Sequence, residues 1–184
     1  MSDLVTRGGA FDSFAATAAA ASVKALPPAA RFSFRGRPAA IDAAGAAFGV
    51  ALPREACRAA LAGDRAALWL GPDEWLLLAP DGTSASIRAA FAESVAPLPH
   101  ALVDISHRNC AVEIAGPKAE DLLNTGCPLD LTPGAFRVGM CARTLLGKAE
   151  IVLWRIAPDR FRLETWRSFC AYAWKYLEEA RRGL

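Results

Sequence analysis

The sequence predicts an α+β fold made of two related halves, on three observations. A strand end that turns at a glycine occurs twice, a hairpin turning on Pro-Asp occurs twice, and each half closes with an amphipathic helical stretch. The first match sets Phe32-Ser-Phe-Arg-Gly36 beside Val112-Glu-Ile-Ala-Gly116, eighty positions later. Self-similarity at that spacing marks a duplicated unit, here strand-helix-strand-strand-helix.

Residues 1–30 lie outside the repeat as an Ala-rich N-terminal arm; residues 31–97 form the first half and 98–184 the second, with both halves in one integrated domain. After each glycine turn a short helix is expected, Pro38 to Ala44 and Pro117 to Asn124. A proline near the first turn presets φ and wastes no N–H. Gly45 and Gly126 are the expected stops. Next, Ala67 to Leu78 matches Leu153 to Glu164, two alternating strands hinged on Pro72-Asp73 and on Pro158-Asp159. Trp75 and Phe161 hold equivalent places after those turns, which suits core positions for both. The closing helix of the first half runs from Ser84 to Val95 with Ser84 or Ser86 as its cap. That of the second half places Trp166, Cys170, Ala173, Trp174 and Leu177 on one face and Lys175, Glu178, Glu179 and Arg182 on the other. Such a helix covers a sheet.

Composition narrows the function classes. A chain of 184 residues buries roughly 70% of its unfolded surface and folds without staples. The Ala-rich stretch from Phe14 to Ala30 is broken by Thr17, Ser22, Lys24 and Pro27-Pro28, so it predicts no membrane span. Asp3 and Asp12 stand where a secretory signal wants basic and then apolar residues, and the reading is cytoplasmic. With 21 basic and 19 acidic residues, scattered, there is no track for nucleic acid. Five dispersed cysteines and two histidines give no metal-ligand spacing, and buried reduced thiols are the default. Arg7-Gly-Gly and Gly45 to Gly49 lack the context of a phosphate loop.

The densest reactive group is Asp104, Ser106, His107, Arg108 and Cys110. On a strand His107 points away from Asp104, Ser106 and Arg108, so spacing alone makes no relay. Polar residues at a strand end are the plainer account, and no catalytic residue is assigned. The five tryptophans read as core rather than as a cofactor box. Arg108, Arg143 and Arg167, set among glycines, cysteines and aromatics with Arg137 nearby, are interface candidates, since arginine beside an aromatic is a common anchor at protein contacts.

Leu68-Trp-Leu-Gly-Pro-Asp-Glu-Trp-Leu-Leu-Leu78, Val103-Asp-Ile-Ser-His-Arg108, Gly126-Cys-Pro-Leu-Asp-Leu131 with Phe136 and Cys141-Ala-Arg-Thr144, and Arg167-Ser-Phe-Cys-Ala-Tyr-Ala-Trp174 occur in an order that resembles the gamma subunit of heterotetrameric sarcosine oxidase. The wider group resembles the folate-binding domain of the glycine-cleavage T-protein, and implies a pair of swapped α+β units. The resemblance implies a non-catalytic, structural role beside alpha, beta and delta subunits. These demethylate sarcosine to glycine and hold FAD, FMN, NAD, tetrahydrofolate and a delta-subunit zinc; none of these is expected in this chain. An isolated copy would be open to self-association through the surface its partners cover. The competing reading is a stand-alone folate-binding or one-carbon-transfer protein with Asp104 as its carboxylate, which rests on fold analogy.

Overall fold

Three buried apolar clusters set the layers. In the computed structural model, which describes residues 15–17 and 20–184, two antiparallel sheets lie face to face and helices cover their outer sides. In chain order the elements are β1 (Ala15–Thr17), β2 (Ser22–Ala25), β3 (Ala29–Gly36), α1 (Pro38–Phe48), β4 (Ala59–Ala62), β5 (Arg65–Gly71), β6 (Glu74–Pro80) and α2 (Ser84–Ser94). Then follow β7 (His100–Asp104), β8 (Asn109–Ala115), α3 (Ala119–Asn124), β9 (Cys141–Leu146), β10 (Ala149–Ala157), β11 (Arg160–Trp166), a 3₁₀ turn (Arg167–Phe169) and α4 (Cys170–Arg182).

One sheet has the order β4-β5-β6-β3-β7 and the other β1-β2-β8-β11-β10-β9. The halves exchange their first strands. β2 precedes β3 in the chain yet pairs with β8, with Val23 opposite Ile114; β7 precedes β8 yet pairs with β3, with Leu102 opposite Phe34. Strand alternation explains the layers. On β3, Ala30, Phe32 and Phe34 face α1 and α2 together with Trp75 and Phe91; Ile114, Leu153, Phe161 and Leu163 face Leu122, Trp174 and Leu177 in the other half. The opposite strand faces meet each other through Leu68, Leu76, Leu78, Ile105, Val152 and Trp154. Each such side chain, fully buried, stabilises the fold by about 1.5–3 kcal/mol.

Both Pro-Asp hairpins form as read: Trp69 stands opposite Trp75, and Arg155 opposite Phe161. Trp75 and Phe161 are both buried. Several expectations need correction. The repeat reaches back into the arm, since β2 is the counterpart of β7, and each unit has a further edge strand, β4 or β9. Helix α1 continues through Gly45 and ends at Gly49, whose φ of 78° is the left-handed conformation that terminates helices. Gly45 is needed for another reason: a Cβ there would lie 3.2 Å from the Val50 carbonyl oxygen. Likewise Gly126 admits the Tyr176 hydroxyl, which donates to the Thr125 carbonyl at 2.7 Å. Thr83, not a serine, occupies the N-cap of α2, and no side-chain bond caps it. Trp166 ends β11 and is 40% exposed, so it is not on the buried face of α4. Cys110 and Cys170 are joined as a disulfide between β8 and α4, with Cα atoms 6.8 Å apart, against the expectation of thiols throughout. Cys57, Cys127 and Cys141 are free.

Candidate functional site

Between the sheets the apolar layer gives way to a charged one, because the β3 face opposite Phe32 and Phe34 carries Arg31, Ser33 and Arg35. A lone buried guanidinium would be prohibitive, and Arg31 is paired: its Nε donates to Glu164 Oε2 at 2.6 Å, with both side chains buried. Arg162 donates to the other Glu164 oxygen from Nε and Nη2, at 2.9 and 2.7 Å. Toward the opening, Glu74 accepts from Arg143 at 2.6 Å and from Arg35 at 2.7 Å. Burial alone would raise the Glu74 carboxyl, but the hydrogen bonds and charges of Arg143 and Arg35 outweigh it and hold it below its ordinary value.

Glu74, Arg143 and Glu164 line a cavity of about 40 Å³, with Arg108, Glu150 and Trp166 also in its wall. That is room for a few waters. At its mouth the Arg108 guanidinium lies 5.3 Å over the Trp166 ring, a cation–π arrangement. The Arg167 N–H donates to the Arg108 carbonyl at 2.6 Å. Two of the three candidate arginines therefore share one crevice, and the third is tied to it through backbone. Arg137 lies apart, in the turn before β9, where its Nε donates to the Gly134 carbonyl at 3.3 Å.

The cluster after β7 is brought together only in part. Asp104 is exposed at the strand end, outside the cavity wall, and accepts from the Ser106 N–H at 2.9 Å. Burial is the largest single influence and would raise its carboxyl, but hydrogen bonds from Ser106 and Ser84 and the charge of Arg88 together outweigh burial and lower it. The Ser106 hydroxyl is buried and accepts from the Arg31 N–H at 2.8 Å, so it fastens β3 to this turn. His107 is exposed, His100 pairs with the Leu98 carbonyl at 2.8 Å, and Cys110 is in the disulfide. The turn works as a clasp between sheets. Sequence reasoning missed Arg31 and Glu164; their one signal was a polar stripe on strands whose other stripe was already apolar. Among the described residues no group of three or more His, Cys, Asp or Glu side chains could hold a metal ion. No helix among them is long and apolar enough to cross a membrane.

Known proteins resemble this chain in sequence and in fold. The family model "Sarcosine oxidase, gamma subunit family" matches residues 35–182. The sarcosine oxidase subunit gamma of Corynebacterium sp. (strain U-96) is 33% identical over 140 residues, covering 73% of this chain and 65% of that protein. That of Corynebacterium sp. (strain P-1) is 34% identical over 115 residues, covering 62% and 56%. The chain thus spans under two thirds of the length of these relatives. Among solved structures, a chain of the heterotetrameric sarcosine oxidase from Corynebacterium sp. U-96 in complex with pyrrole 2-carboxylate superposes with a TM-score of 0.80 at 28% identity, covering 90% of this chain and 85% of that one. The glycine cleavage system aminomethyltransferase T from Bartonella henselae gives a TM-score of 0.64 at 11% identity, covering 86% of this chain and 45% of that one, a likeness of fold. The chain belongs to the sarcosine oxidase gamma subunit family.

Proposed function

We propose that the protein is a non-catalytic, structural subunit of a heterotetrameric sarcosine oxidase-like complex in the cytoplasm. Partner alpha, beta and delta chains carry out the oxidative demethylation of sarcosine to glycine and hold the flavins, NAD and tetrahydrofolate. The observation that carries this reading is the grouping at one crevice mouth of Arg108, stacked on the exposed Trp166, with Arg143, and with Arg167 bonded to the Arg108 backbone. An arginine held flat by an aromatic ring has little side-chain entropy left to lose, and presents free donors to a partner's carboxylate or carbonyls. The Ser106 hydroxyl accepts from the Arg31 N–H and fastens β3 to the turn, which supports a structural role for that segment.

Co-expression with alpha and beta homologues, followed by gel filtration, tests the reading. Co-elution is expected; elution of this chain only as a free monomer would contradict it. Tetrahydrofolate titrated into the isolated chain is expected to give no heat. Binding with loss on Asp104→Asn would favour the one-carbon-transfer alternative.

A further inference from the structure

Cys57 and Cys141 are joined by a backbone hydrogen bond where the two halves meet, and we propose that they form a peroxide-oxidisable pair, a modification site that ties the halves covalently. Arg58 and Met140 make an isolated antiparallel bridge between the segment before β4 and the start of β9. Backbone bonds flank it: the Cys141 N–H donates to the Cys57 carbonyl at 2.9 Å, and the Ala59 N–H to the Gly139 carbonyl at 2.9 Å. Residues 58 and 140 are the opposed pair of that bridge, and Cys57 and Cys141 flank it at the same end, joined by the one backbone bond. A single backbone N–H···O bond keeps the two Cα atoms on the order of 6 Å apart, within the window of about 4.4–6.8 Å that a disulfide spans.

Two further features mark the pair. Cys57 has a φ of 60°, the one positive φ at a non-glycine among the described residues. Such a conformation is costly for a residue with a Cβ and collects at sites with a role. The two thiols also differ in access. Cys57 is partly exposed, while Cys141 is buried, with its Sγ 3.5 Å from the Trp69 carbonyl oxygen. Burial first, and then the nearby Cys57, push the Cys141 thiol up to about 12. Exposure decides the order: Cys57, the more accessible sulfur, meets the oxidant, and Cys141 then resolves the product.

The chemistry balances with hydrogen peroxide as oxidant. The Cys57 sulfur attacks one peroxide oxygen, the O–O bond breaks, and the released hydroxide takes the thiol proton to leave as water. The Cys141 sulfur then attacks the Cys57 sulfenic acid, the S–O bond breaks, and a second water leaves with the Cys141 proton. Two thiols lose two electrons and the peroxide gains them. The product joins the first sheet's edge to the second sheet's edge.

Full-length protein is treated with hydrogen peroxide, denatured without reductant, and its thiols counted; cross-linked peptides are then mapped. Three free cysteines are present at the start, Cys57, Cys127 and Cys141. The expected result is a fall from three thiols to one, Cys127, with a Cys57–Cys141 cross-linked peptide. Cys57→Ser should keep both remaining thiols under the same treatment. Cys141→Ser should lose the cross-link while Cys57 is still consumed. A wild-type count that stays at three overturns the proposal; so does a count of two with Cys57 over-oxidised, or a cross-link running between two chains.

Discussion

At the Pro-Asp hairpin the two halves hold one loop with different donors. In the first half Trp69 faces Trp75, and the Trp75 indole N–H donates to the Pro53 carbonyl at 2.8 Å. In the second half Arg155 faces Phe161 and lies 4.9 Å over its ring, and its guanidinium donates to the carbonyls of Leu131 and Phe136 at 2.8 and 2.9 Å and to that of Pro158. The loop each donor secures joins a helix to an edge strand, residues 49–58 in one half and the longer 125–140 in the other. From the hairpin, one indole N–H reaches one carbonyl of the short loop. In the longer loop two carbonyls, those of Leu131 and Phe136, accept from one guanidinium, a group with five donors on a single side chain. A duplicated scaffold has diverged where its loops diverged, in the donor rather than in the sheet.

The charged layer joining the halves gives the largest expected effect. Glu164→Gln leaves Arg31 buried without its counter-charge, and unfolding free energy measured in urea should fall by about 4 kcal/mol. Should it fall by less than about 1 kcal/mol, the halves are held by the apolar layer alone. The hairpin comparison predicts unequal costs: about 3 kcal/mol for Arg155→Met, which strips donors from several carbonyls, against about 1 kcal/mol for Trp75→Phe, which strips one. Equal costs would break the comparison. Arg108→Ala should leave stability within about 0.5 kcal/mol but weaken assembly with partner chains by about 2 kcal/mol, read by titration calorimetry.

The smallest effect is in pH. Because the folded Glu74 carboxyl titrates below its unfolded value, the Arg143 and Arg35 pairing stabilises the fold fully above the ordinary carboxylate range, and that contribution is lost as pH falls through the folded value. Arg143 and Arg35 are well exposed, so the loss is under about 1 kcal/mol. Comparing wild type with Glu74→Gln through the acid limb isolates it; parallel curves would remove Glu74 as the cause.

How far the fold was legible follows from which signals are local. The Pro-Asp turns, the alternation around them and the apolar face of α4 at Cys170, Ala173, Trp174 and Leu177 are short-range patterns, and they gave both hairpins and the closing helix. The strand exchange was not legible from the residues themselves: Ser22–Ala25 has the same chemistry whichever sheet it joins. Only the family resemblance implied it. The edge strand Ala59–Ala62 carries almost no alternation. Cys110 and Cys170 meet only after α4 packs on its sheet, so their pairing left no local mark. Arg31 and Glu164 carry no local sign of burial, since each is polar on a half-apolar strand and its burial depends on a second sheet that no local window contains. The arginines of the crevice were legible as residues; their grouping was not.

The most direct test of a docking role is to capture the tagged protein from its native host and record both the co-purifying chains and the visible spectrum. Alpha, beta and delta oxidase chains with a flavin spectrum are the expected result. A colourless protein recovered alone, under conditions where it is folded, would contradict the account.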